Sequence, residues 1–233
     1  MRRSTARTSD GPPGARYRGP FWRVFPWDAT AAPGDPFTPQ YVLPAGLQTG
    51  GRFDLSNTPT LYIALDNPAH ALAEVLQSLR GRRQIRASHL RRQARGRPGF
   101  YYPLAIVETW IPNDIYDALP DLGNPETLVR LGIRPDALAS ADRAVTQRIS
   151  RMLHDDHGLS GFRWWSAFRG EWHVGVLYMD RVDPFQIHYG QPDPLHLAHP
   201  PLSGPRRASR CWRCGRGSAC RRWDRSSSGV PPH

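Results

Sequence analysis

Residues 49–76 read "TGGRFDLSNTPTLYIALDNPAHALAEVL", and three local signals follow one another within them. Gly50 and Gly51 free the backbone for a tight approach just before Arg52. "TLYIAL" (60–65) is aromatic and β-branched enough for a buried strand. Asn67 and Pro68 then supply an N-cap and a first-turn residue. Leu72, Val75, Leu76 and Leu79 recur at i, i+3, i+4 and i+7, as one face of a helix does. Glu74 lies off that stripe, because each helical residue turns by about 100°. It therefore points to solvent or into a cleft. A fold needs the aliphatic residues of this stretch and does not obviously need Arg52 or Glu74.

Reading outward, "FWRVF" (21–25) is a short strand, and residues 26–50, rich in Pro and Gly, form a long loop. Residues 80–97 carry eight Arg and read as an exposed, partly helical connection. "YYPLAIVETWI" (101–111) reads as a central strand, Asn124-Pro125-Glu126 opens a helix, and residues 136–153 are helical. "HDDHGLSG" (154–161) reads as a turn, its His154 and His157 better suited to a solvated turn than to metal. "FRWWSAF" (162–168) and "HVGVLYM" (173–179) are strands across a small loop, and "FQIHY" (185–189) is the last strand. Strands and helices mix without regular alternation, and no repeat is visible. That pattern favours an α+β domain over a doubly wound sheet.

A chain of 233 residues holds one domain with extensions. No apolar run is long enough to cross a bilayer, and the basic N-terminus lacks the apolar middle of a secretory signal. A cytoplasmic protein without membrane contact is expected. The formal charge of +11 belongs to the ends. All 31 basic residues are Arg; residues 1–20 hold five Arg against one Asp, and residues 203–233 hold eight against one. The middle, 21–202, balances 18 Arg with 18 acidic residues. Both ends are expected to be disordered tails that contact polyanions without specificity, leaving the folded domain at 21–202. Cys211, Cys214 and Cys220 all lie in the second tail, and their C-x2-C-x5-C spacing lacks a fourth ligand for zinc.

The residues that could carry chemistry are few. An Arg after two glycines suits phosphate, because its planar fork makes paired, charge-assisted hydrogen bonds. Arg23, between Trp22 and Val24, faces the opposite side of its strand, toward water or an anion. Ser166 interrupts bulky aromatics. No nucleophile elbow, Walker loop or zincin helix is present.

Taken together, "FWRVF", "GGRFDLSNTPTLYIALDNPAHALAEVL" and "GFRWWSAF" resemble the RES domain family, with Arg23, Arg52, Tyr62, Glu74 and Ser166 at the matching positions. Two departures stand out. Phe53-Asp54 replaces the Trp-Asn or Trp-His that often follows the turn Arg, and the nearest candidate for a late Asn is His173. The resemblance implies a single domain, a mixed β-sheet with flanking helices similar to ADP-ribosyltransferases. It further implies a bacterial toxin that consumes NAD as substrate, by phosphorolysis or hydrolysis, and an Xre-type antitoxin as partner. Phosphate is then a possible co-substrate, with no cofactor or metal. Transfer of ADP-ribose to a protein and an inactive RES-like binding protein are the alternatives; a nucleic-acid-binding protein working through its tails is a weaker one.

Cleaving the nicotinamide–ribose bond builds positive charge on the ribose, which a nearby carboxylate stabilises more as the charge grows. Glu74 is expected in that role, with Arg52 and then Arg23 on the pyrophosphate, Tyr62 against nicotinamide, and Ser166 on a phosphate or the ribose. Arg23 is also the choice for holding inorganic phosphate.

Overall fold

The computed structural model describes residues 16–198 apart from 49, 83, 94–98 and 167. Most of the two expected tails, including the three cysteines, lies outside the described residues.

Eight strands form an open antiparallel sheet. β1 (Tyr17–Pro26), β2 (Thr60–Ala64), β4 (Tyr101–Pro112), β5 (Gly161–Trp165) and β6 (His173–Tyr178) make its body, joined in the order β4-β1-β2-β6-β5. Three short strands, β3 (Arg91–Gln93), β7 (His188–Tyr189) and β8 (Asp193–Pro194), all pair with β4. The helices are α1 (Pro68–Val75), α2 (Asn113–Asp117), α3 (Pro125–Arg130), α4 (Pro135–Leu138) and α5 (Arg143–Asp155). Among the described residues no helix is long and apolar enough to cross a membrane.

The α+β class follows the sequence reading, but several details differ. The sheet is not mixed: every strand pair is antiparallel, and the parallel contact, Asp121 with Arg163, is an isolated bridge. β1 begins at Tyr17, inside the segment expected to be tail, because Tyr17 and Arg18 pair with Pro112 and Ile111 at the far end of the long β4. The helix expected over 136–153 is two helices, since Asp142 starts α5 afresh by accepting the Ala144 N–H at 2.9 Å. The last strand shrinks to His188–Tyr189. His154, expected in a solvated turn, closes α5 and is buried between Asp155 and Asp180, at 2.6 and 2.9 Å.

Side chains on β2 divide as a pleated strand requires. Leu61 and Ile63 join Phe21, Ile111 and Leu177 in one cluster. Tyr62 packs against a second, built from Phe53, Phe162, Val176 and the apolar faces of α3, α4 and α5. Ala64 meets Leu72, Leu76 and Leu104 in a third, which seats α1 on the sheet. The Asn67 side chain caps α1 by accepting the His70 N–H at 3.0 Å, with Pro68 at the first helical position. Between the second and third clusters the sheet is left open.

Candidate active site

That opening is a cleft of about 520 Å³. Arg23, Arg52, Tyr62 and Glu74 all line it, and so do Arg80 and Arg143. Four cations thus face it against two carboxylates, Asp54 and Glu74. The volume lies within the usual range for a small-molecule site, and the surplus cations suit a ligand with several negative charges.

The Gly-Gly-Arg turn forms one wall, held from both sides. Asp54 bends back to accept the Gly51 N–H at 2.5 Å and the Tyr62 hydroxyl at 2.8 Å, while that hydroxyl accepts the Phe53 N–H at 3.0 Å. From the other side α5 takes up the turn's carbonyls. Gln147 donates to Gly51 O at 3.1 Å, Thr146 to Arg52 O at 2.5 Å, and Ser150 to Phe53 O at 2.7 Å. A Cβ on Gly51 would lie 2.3 Å from Asp54 Oδ1 and 2.6 Å from the Tyr62 hydroxyl, so only glycine fits. Gly50 has a φ of 101°, and a Cβ there would meet Arg143 Nη1 at 2.6 Å. Asp54, one of the two departures from the family pattern, is therefore the staple of the turn. Burial and the neighbouring Asp54 carboxylate push the Tyr62 hydroxyl well above its ordinary range, so it remains a donor.

The two arginines read from the sequence stand in different surroundings. Arg52 Nη2 donates to Leu138 O at 2.9 Å and Ser140 O at 2.8 Å, closing the end of α4, and its guanidinium stacks 4.7 Å from the Trp164 ring centre. Its Nε is buried without a hydrogen bond among the described residues. Burial lowers its pKa, and the charge of Glu74 acts in the opposite direction. Arg23 is half-buried and lines the cleft, but both its Nη atoms donate to the loop after β1, to Pro39 O and, at 2.7 Å, to Tyr41 O. Desolvation is the main cause of its lowered pKa. Arg23 fixes the loop that roofs the cleft. Arg80 and Arg143 make no salt bridge among the described residues; Arg80 lies 5.9 Å from the Phe168 ring centre. Sequence reading singles out neither, because an Arg at a helix start or within the Arg-rich run 80–97, open to readings as solvated surface, docking face or phosphate groove, resembles solvated surface first.

Glu74 and Ser166 meet. The Ser166 hydroxyl donates to Glu74 Oε1 at 2.6 Å and accepts the Phe168 N–H at 3.1 Å. Ser166 is 2% exposed, and its own N–H bonds Trp172 O at 2.6 Å. Its hydroxyl is thereby engaged in orienting the carboxylate. Glu74 itself is one-third exposed, at 33%, and Oε2 has no hydrogen bond among the described residues. A carboxylate held by one oxygen and open at the other, within an Arg-lined cleft, can stabilise a cation that forms beside it. His173, the second departure, opens β6 and donates its N–H at 2.5 Å to Asp66, the carboxylate that also stands 3.3 Å from His70.

The family model described as the RES domain matches residues 20–198. Among solved structures the chain is similar to one in the crystal structure of the M. tuberculosis MbcT–MbcA toxin–antitoxin complex, with a TM-score of 0.50 and 16% sequence identity, over 85% of this chain and 89% of that one. No curated protein matches this sequence.

Proposed function

Because the chain belongs to the RES domain family, we propose that it is a toxin that cleaves the nicotinamide–ribose bond of NAD and is neutralised by an antitoxin protein. The observation that carries this reading is the half-open carboxylate of Glu74, fixed at Oε1 by Ser166, in a cleft lined by four arginines. In the reaction the C1′–N1 bond breaks and its electron pair stays on nicotinamide, which leaves neutral. The ribose becomes an oxocarbenium-like cation, and Glu74 interacts with it more strongly than with the ground state. A water or phosphate oxygen then bonds C1′, and a water gives up its proton to solvent.

The geometry redistributes the roles expected from sequence. The NAD pyrophosphate is dianionic throughout, and Arg80 and Arg143 are the cations free to grip it. Arg52 contributes charge from a fixed place, with Nη2 committed to α4. The Tyr62 ring shapes the floor of the cleft while its hydroxyl supports the turn. Ser166 positions Glu74, and Arg23 holds the roof. NAD is abundant in the cytoplasm, where such a toxin would act. The structural neighbour is part of a toxin–antitoxin complex, which supports an antitoxin partner here.

The test is direct. The purified full-length chain is incubated with NAD, with and without inorganic phosphate, and nicotinamide and the ADP-ribosyl product are measured. Nicotinamide release accompanied by free ADP-ribose or its 1″-phosphate supports the proposal and identifies the acceptor. Label remaining on a protein would assign ADP-ribosyl transfer instead, and no NAD loss would refute the reading.

A further inference from the structure

α1 carries a buried polar residue to which the catalytic reading gives no part. His70 stands one turn before Glu74 and is 0% exposed. Its side chain is not needed for the helix cap, since only its backbone N–H reaches Asn67. The neighbouring Ala71, Leu72 and Ala73, equally buried, are all apolar, and an imidazole costs free energy there unless it is partnered. Nδ1 lies 3.3 Å from Asp66 Oδ2 but makes no hydrogen bond among the described residues. Nε2 lies 3.3 Å from Glu74 Oε1 and does. An ionised carboxylate can only accept, so Nε2 is the donor.

The ring is also pinned from the side. It stacks on Trp172, with centres 4.9 Å apart and planes at 30°. The carbonyl of Trp172 receives the Ser166 N–H, and the Ser166 hydroxyl ends on the same Glu74 Oε1 that His70 contacts. One tryptophan thus locks both donors, and both hold Oε1, leaving Glu74 Oε2 without a hydrogen bond among the described residues.

We infer that His70 is a positioning residue for Glu74, holding the carboxylate through Nε2 while Trp172 fixes the ring. This rests on the reading of Glu74 as the catalytic carboxylate. Two amide substitutions in the full-length chain separate the ring's two nitrogens. His70→Gln places an amide near Nε2 and can still donate to Glu74. His70→Asn places one near Nδ1, beside Asp66, and cannot reach Glu74. Misplacing a catalytic group by about 1 Å can cost on the order of 100-fold in rate. His70→Asn should therefore lose about 10- to 100-fold in kcat with KM for NAD little changed, and His70→Gln should retain most of the wild-type kcat. A role confined to packing or to Asp66 predicts the reverse order or equal losses, and either result, or no loss in both, overturns the inference. A crystal structure of His70→Asn gives a readout that needs no turnover. Glu74 displaced from Ser166 Oγ supports the inference, and Glu74 unmoved overturns it. Absence of NAD loss in the wild type would instead remove the catalytic reading itself.

Discussion

Replacing Gly51 by alanine tests whether the Gly-Gly-Arg turn is built as described. The new methyl would sit 2.3 Å from Asp54 Oδ1 and 2.6 Å from the Tyr62 hydroxyl, distances that no Cβ tolerates. Asp54 must swing away, and it then abandons the Gly51 N–H and the Tyr62 hydroxyl together. Leaving a buried donor unsatisfied costs about 1–3 kcal/mol. Crowding a packed site adds a similar amount, so a net loss of about 3 kcal/mol is expected. For a domain of this size that lowers Tm by roughly 6–12 °C in a thermal melt. Gly46→Ala is the control, because a Cβ there has nothing within 4 Å. The coupling can be read as well. Asp54→Ala alone strands the Tyr62 hydroxyl, but in the Gly51→Ala background it removes the nearer of the two obstructing atoms. The double variant should be distinctly more stable than the sum of the single losses implies. A Gly51→Ala protein that melts with the wild type, or strict additivity with Asp54→Ala, would refute the reasoning.

Arg80→Ala and Arg143→Ala should each raise KM for NAD several-fold with Tm nearly unchanged, since neither makes a salt bridge among the described residues; steady-state kinetics beside a melt checks this. Ser166→Ala should lower kcat by about ten-fold or more, as Glu74 loses its 2.6 Å donor, and a mutant with unchanged kcat would show that Ser166 does not orient it. Arg23→Leu should melt well below the wild type, because the Pro39 and Tyr41 carbonyls lose their shared donor, and limited proteolysis should cut first within residues 26–50. The pH dependence follows from Tyr62 and Tyr178, whose hydroxyls burial raises above the ordinary value of 10. The folded state holds these protons more tightly than the unfolded chain. Stability from this source is thus complete below pH 10 and is lost as pH rises above it, and Tyr62→Phe should make that alkaline loss shallower in chemical denaturation.

Local signals in the sequence were sufficient for much of the scaffold. Asn67-Pro68 and Asn124-Pro125 begin helices because a side-chain oxygen and a fixed φ act within three residues. Leu72, Val75, Leu76 and Leu79 all meet the third core cluster, although α1 ends at Val75 and Leu79 follows in a separate 3-10 turn. Glu74, off the stripe, enters the cleft. What remained hidden depends on distant partners. The α4–α5 break hinges on Asp142, whose capping role competes with the helical periodicity running through it. That break exposes the carbonyls of Leu138 and Ser140, and only then does Arg52 have a structural anchor 86 residues away. Strand parity turns Arg23 away from Trp22 but does not reveal the Pro39 and Tyr41 carbonyls that take its guanidinium. The expectation of a mixed sheet came from family resemblance, whereas strand direction is decided by the connections of this chain.

The measurement that bears most directly on the proposal is single-turnover nicotinamide release by Glu74→Gln beside the wild type, with NAD binding followed in parallel. The amide keeps the size of the side chain and removes its charge. Loss of one well-placed electrostatic group costs about 100- to 1,000-fold in rate, so release should fall by that factor while Tm and NAD affinity hold within a few-fold. A Glu74→Gln chain that frees nicotinamide at close to the wild-type rate would contradict the assignment of this carboxylate to catalysis.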